Sequence, residues 1–241
     1  MLNHNYIRQL SLERIIEIDQ SALEIFNGSD SMFIDGVAFV LTSGLTWLPL
    51  YLALFYLVVK NNETMAQIGL IVGCTLLCLI LSDGISEYLC KPWIARPRPS
   101  NDPIIKYSVH IVNNIRGMDY SFFSAHAANT MSIAVFFCWL VRSKLLSVFL
   151  ILWSLLNCWT RMYLGLHYPG DISVGLIWGV IVGSLVYLFY RKIYSLVRPK
   201  LNYVSTQYTS TGYALSDVHV VITVLLFACC YAVIRGVTVI Q

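Results

Sequence analysis

Six apolar stretches, at 37–59, 65–90, 127–142, 145–162, 171–190 and 218–234, constrain this chain more than any other feature. Each comes near the roughly 20 residues needed to cross a hydrocarbon core. The third is short and is expected to extend back through His126. Charged residues supply 12 % of the chain and hydrophobic ones 57 %, where soluble domains carry about 25 % charge. The expected fold class is therefore all-α, a polytopic membrane bundle of about six transmembrane helices.

Residues 1–36 contain no stretch long enough to cross. Leu10, Leu12, Ile15, Ile16, Ile18, Leu23, Ile25 and Phe26 alternate with Glu13, Arg14, Glu17, Asp19 and Glu24, which predicts an amphipathic interfacial helix. No basic segment followed by an apolar core and cleavage site is seen, so no removable signal peptide is expected. Residues 37–241 read as one membrane-embedded domain, since no Gly/Ser-rich or Pro-rich linker divides the spans. The 91–126 connection, with Pro92, Pro97, Pro99 and Pro103, resists regular helix and is a candidate pocket cap. The Tyr-, Ser- and Thr-rich stretch 198–217 reads as a solvated loop. Seven cysteines, nearly all within spans, read as small apolar residues rather than as a disulfide framework or metal site. A net charge of +3 without a basic tract gives no support to nucleic-acid binding.

Three short clusters stand at the mouths of these spans: Lys91 with Arg98 and Pro99, Ser124 with His126, and Arg161 with His167 and Asp171. Three cations, two imidazoles and a carboxylate converging on one spot suit a phosphate ester, whose charge must be neutralised close to lipid. Arginine recognises phosphate oxygens in bidentate fashion and lysine adds a point charge. Ser124-Ala125-His126 precedes an apolar run, so it falls in a first helical turn, where unpaired backbone N–H groups bind anions. Ser124 also reads as an ordinary N-cap. Gly165, Pro169 and Gly170 predict a turn between two helices, with Asp171 opening the second. There Asp171 is either a helix cap or the acceptor of an N–H from His167, which would free the other ring nitrogen. Within the second span, Asp83 and Glu87 need partners: Lys91 for Glu87, and Arg161 or Arg98 for Asp83.

The blocks K-x6-R-P, S-x-H and R-x5-H-x3-D resemble those of the type 2 phosphatidic acid phosphatase superfamily, over roughly residues 80 to 190. The middle block departs from the family's P-S-G-H, reading Phe123-Ser124-Ala125-His126, and Thr160 stands where a serine commonly precedes the arginine. The resemblance implies that His167 is a nucleophile forming a phosphohistidine, with Asp171 orienting it. It implies that His126 protonates the leaving group and then activates water. Lys91, Arg98, Arg161, Ser124 and the Ala125 amide would hold the phosphoryl oxygens. Neither a metal nor another cofactor is implied, and the sequence offers no carboxylate cluster suited to magnesium.

A transporter would also carry buried charges, yet here they gather on one face and no inverted repeat is visible. A vanadate-dependent haloperoxidase conflicts with six spans, and an inactive lipid-binding relative conflicts with the complete set of titrating residues. The expected partner is a membrane lipid phosphate. Undecaprenyl diphosphate and lipid A phosphate lead, ahead of phosphatidylglycerol phosphate and phosphatidic acid. Placing Lys60, Arg142, Lys144, Arg191, Lys192, Arg198 and Lys200 in the cytoplasm turns the motif face outward, toward the periplasm of a bacterial inner membrane.

Overall fold

The computed structural model describes residues 2–118, 120–197 and 206–239, with side chains from residue 13 onward and, in the eighth helix, up to residue 194. Among them run nine α-helices: α1 (Leu2–Phe26), α2 (Met32–Thr42), α3 (Leu48–Lys60), α4 (Met65–Gly84), α5 (Lys91–Ile94), α6 (Ala125–Val141), α7 (Lys144–Tyr163), α8 (Pro169–Val197) and α9 (Leu215–Val239). Local chemistry sets their ends. Thr64 and Gln67 form a reciprocal capping box ahead of α4, and the Ser124 and Ser143 side chains cap α6 and α7. Pro169 opens α8, where its fixed φ suits a first turn.

Among the described residues, four segments are long and apolar enough to cross a membrane: Met65–Ile94, Lys144–Tyr163, Pro169–Tyr194 and Leu215–Val239. They match four of the six expected stretches, each extended at one or both ends. Helix α6, at 17 residues, is shorter. The stretch expected as one span at 37–59 is instead broken, and its two halves, Met32–Thr42 and Gly44–Lys60, meet at 68°. Pro49, in the first turn of α3, has no N–H to return to the preceding turn, and Ser43 is extended (φ −73°, ψ 127°). Side chains take up the released carbonyls: Thr46 Oγ1 donates to Val40 O at 2.6 Å and Trp47 Nε1 to Leu41 O at 2.9 Å.

The tightest seam joins α6 and α8. Gly175, Gly179 and Gly183, one helical turn apart, face Ser124 O, Ala128 O and Ser132 O, so the two backbones touch without intervening side chains. Around this seam Trp47, Trp153, Phe136, Leu150 and Ile71 form the buried core. Both helices begin at the same end of the bundle, where α4–α5 and α7 finish. Every motif residue therefore arrives at one rim.

Two peripheral segments are more embedded than expected. The second half of α1 docks on the bundle: Leu23 is buried, and the following Asn27 amide donates to Tyr163 O at 2.9 Å. Of the stretch expected as a solvated loop at 198–217, residues 198–205 lie outside the described residues. In the remainder Thr206, Gln207, Tyr208 and Ser210 are exposed, while Thr209 and Tyr213 are buried and Thr211 donates to Val141 O at 2.8 Å.

Candidate active site

A π-helical turn, Ile85–Cys90, joins α4 to α5 and delivers Lys91, which is buried and paired with Glu87 as expected. Arg98 follows in extended backbone ahead of Pro99. Its Nε donates to Met118 O at 2.8 Å, its Nη1 to Leu166 O at 3.3 Å, and the same Nη1 lies 3.3 Å from His167 Nε2. Arg161, in the last turn of α7, donates to Thr42 Oγ1 at 2.7 Å and approaches His126 Nδ1 to 3.1 Å. Ser124 is wholly buried, its hydroxyl capping α6, while His126 two residues on is exposed. Lys91, Arg98, Arg161 and His167 all act electrostatically on His126, and the Ser124 N–H, next to Ala125, donates to Asp171 O at 3.2 Å, so the eight sequence-derived site residues occupy one neighbourhood.

Arginine can only donate, which fixes the ring nitrogens. His126 Nδ1 accepts from Arg161, leaving its proton on Nε2 when the ring is neutral. His167 Nε2 accepts from Arg98, leaving its proton on Nδ1, the nitrogen facing Asp171. His167 lies in the turn between α7 and α8 and is buried. Burial first, then the guanidinium groups of Arg98 and Arg161, push its pKa down to about 4 against the upward pull of Asp171. The ring is thus neutral at pH 7 with a lone pair on Nε2.

Asp171 departs from expectation in two respects. It is the third residue of α8 rather than its opening cap, because the helix starts at Pro169. From there Oδ2 reaches back to accept the Tyr168 N–H at 3.1 Å. That oxygen stands 3.8 Å from His167 Nδ1, an ion-pair separation rather than a hydrogen bond, and Oδ1 accepts from Arg96 at 2.9 Å. Asp83 pairs with neither Arg161 nor Arg98; it is exposed and accepts from the Asn129 amide at 3.3 Å. Arg96 is not one of the fixed residues of the three motifs, and nothing local in the sequence marks a partner 75 residues away.

Two polar atoms within the site, Arg161 Nε and His167 Nδ1, are buried without a hydrogen-bond partner. The Arg161 donor, beside clustered cations, is one that an anion completes, while His167 Nδ1 faces Asp171. The geometry suits binding a tetrahedral anion against Lys91, Arg98, Arg161 and the first turn of α6, with a neutral imidazole on each side.

Comparison with known proteins agrees. The profile of the PAP2 superfamily matches residues 69–195. The chain is 37 % identical over 184 residues to a lipid A 4'-phosphatase of Bacteroides thetaiotaomicron, covering 76 % of this chain and 81 % of that protein. A lipid A 4'-phosphatase of Porphyromonas gingivalis is 34 % identical over 182 residues, 74 % of this chain and 75 % of its own. In three dimensions the fold is similar to a transmembrane PAP2-type phosphatidylglycerolphosphate phosphatase of Bacillus subtilis, with a TM-score of 0.58 at 20 % identity over 75 % of this chain and 88 % of that one.

Proposed function

The chain belongs to the PAP2 superfamily and is a multi-pass membrane lipid phosphatase, and on that premise we propose that it removes a phosphate group from lipid A through a phosphohistidine at His167. The single observation that carries the mechanism is the contact between His167 Nε2 and Arg98, with Asp171 on the opposite side of the ring. A phosphoryl oxygen arriving at Arg98 sets phosphorus beside the Nε2 lone pair. As the N–P bond forms and the P–O bond to the lipid breaks, the imidazole takes on positive charge, which Asp171 offsets. His126, taking up a proton to become an imidazolium as the phosphate's negative charge draws Arg161 away from its Nδ1, gives its Nε2 proton to the departing lipid oxygen. Water then attacks the phosphohistidine, giving its proton back to His126 and releasing inorganic phosphate. Lys91, Arg98, Arg161, the Ser124 hydroxyl and the α6 amides at Ala125 and beyond stabilise charge on the equatorial oxygens. Because these donors supply the positive charge, hydrolysis needs no added metal.

The substrate reading rests on two relatives that share three-quarters of the chain and are lipid A 4'-phosphatases. It favours lipid A over undecaprenyl diphosphate. The cationic loops at Lys60, Arg142 to Lys144 and Arg191 to Lys192 support an inner-membrane protein whose site faces the periplasm. The test is phosphate release by purified protein from lipid A phosphorylated at both ends, from undecaprenyl diphosphate and from phosphatidylglycerol phosphate, with the remaining lipid A product mapped. Loss of the 4'-phosphate, at a rate well above that for the other two, is the expected result. A faster reaction on either of the others refutes the substrate assignment.

A further inference from the structure

Behind Asp171 lies a set of contacts that the three motifs do not contain. Arg96 spans two carboxylates, donating from Nη1 to Asp171 Oδ1 at 2.9 Å and from Nη2 to Asp19 Oδ2 at 2.7 Å. Its guanidinium stands 3.7 Å over the centre of the Tyr168 ring, and the Tyr168 hydroxyl donates to Asp102 Oδ2 at 2.7 Å. The surface on which Arg96 rests is therefore itself pinned. Asp19 makes a second bond, its Oδ1 accepting the Gly170 N–H at 2.7 Å in the first turn of α8. A Cβ at residue 170 would come within 2.8 Å of Asp19 Oδ2, so this approach requires glycine. The Asp171 side chain is fully buried, and Arg96 and Asp19 are 19 % and 13 % exposed, a setting in which charge pairs are weakly screened.

We propose that Asp19, carried by α1, is a positioning residue for catalysis that acts on His167 through Arg96 and Asp171; this rests on His167 being the nucleophile. Arg96 facing Asp171 alone would neutralise the carboxylate that faces the His167 Nδ1 proton and offsets the charge on the phosphorylated ring. Asp19 divides the guanidinium between two carboxylates, so the trio carries a net −1 and Asp171 retains its field at the imidazole. The bond to Gly170 also fixes the turn that carries Asp171. The charged and titrating groups acting on His167 are Asp171 from α8, Arg98 from the loop after α5, Arg161 from α7 and His126 from α6. Asp171 is the one anion among them, which makes its effective charge decisive. Helix α1 then belongs to the active centre, although it lies outside the matched family region.

The test is Asp19→Asn in the full-length protein, with lipid A in detergent micelles as substrate. The variant preserves size and the acceptor for Gly170 while removing charge. We expect kcat to fall about 10- to 100-fold with KM within about twofold, as is usual for outer groups that orient a reacting one. We also expect the acid limb of kcat/KM to move to lower pH, because His167 loses basicity. The loss in an Asp19→Asn/Arg96→Ala double variant should not exceed that of Arg96→Ala alone, since the two act as one unit. An unchanged kcat, whether or not the melting midpoint falls, overturns the proposal, as does a loss confined to KM or a fully multiplicative double variant. His167→Ala run alongside separates the two readings. Residual turnover there refutes the nucleophile itself, whereas an inactive His167→Ala beside a normal Asp19→Asn refutes only the positioning role.

Discussion

Replacing Gly179 by alanine adds one methyl group where α6 and α8 meet most closely. That carbon would lie 2.7 Å from Ala128 O, 2.8 Å from Met131 Cβ and 3.1 Å from Ser132 N. Two of the three neighbours are helix backbone, so no rotamer change relieves the contact. The helices must part by ~0.7 Å to restore an ordinary separation of 3.4 Å. Overpacking of this kind costs about 1–3 kcal/mol. The displacement also reaches the chemistry, because α6 carries Ser124 and His126 while α8 follows His167 and carries Asp171. A 1 Å misplacement of reacting groups can cost about 10²-fold in rate, so a tenfold or larger drop in kcat should accompany a lowered melting midpoint in detergent, followed by tryptophan fluorescence. Gly73→Ala on α4, whose added methyl meets nothing within 4 Å, is the matched control and should leave both quantities unchanged. Native stability and rate in Gly179→Ala, or an equal penalty in Gly73→Ala, would refute the claim that this seam sets the site.

Further outcomes follow from the site. His167→Ala should abolish turnover on every ester, while His126→Ala should retain measurable turnover on an aryl phosphate, whose leaving group needs little protonation; parallel rate measurements decide. With the His167 pKa held near 4 in the folded protein and near 6.5 when unfolded, the unfolded chain takes up the extra proton as pH drops between those values. The stability from the neutral ring is thus complete above about pH 6.5 and is lost toward pH 4; His167→Asn should melt with a shallower pH dependence over that window. Arg98→Lys should cost about 10²- to 10³-fold in kcat/KM despite keeping its charge, because one ammonium cannot bond Met118 O, Leu166 O and a phosphoryl oxygen in the guanidinium's fixed geometry.

The clustering of the candidate site was legible because charges are conspicuous in an apolar chain: Lys91, Arg98, Arg161, His126, His167 and Asp171 have few polar neighbours to hide among. Most spans were legible for the same reason. The break at 43–47 was harder, since Leu45 and Trp47 keep the hydropathy high, although Ser43, Gly44 and Pro49 together spell a helix stop and restart. The glycines at 175, 179 and 183 were readable as a repeat with period four, a signal of close helix approach rather than of chemistry. Arg96 and Asp19 left no local trace. Their pairing depends on how α1 folds over the start of α8, and no spacing rule reports a contact between residues so far apart in sequence.

Under the proposed mechanism, the contact between Arg98 and His167 acts as a safety catch. The guanidinium proposed to grip a phosphoryl oxygen donates to the lone pair proposed to attack phosphorus. Other electrophiles that diffuse in carry no anionic oxygens to draw Arg98 aside, so they meet a sheathed imidazole. An anionic substrate supplies the competing acceptor, and its own charge unsheathes the ring. On that proposal reactivity and recognition are the same event, and a buried histidine can be nucleophilic without being indiscriminate.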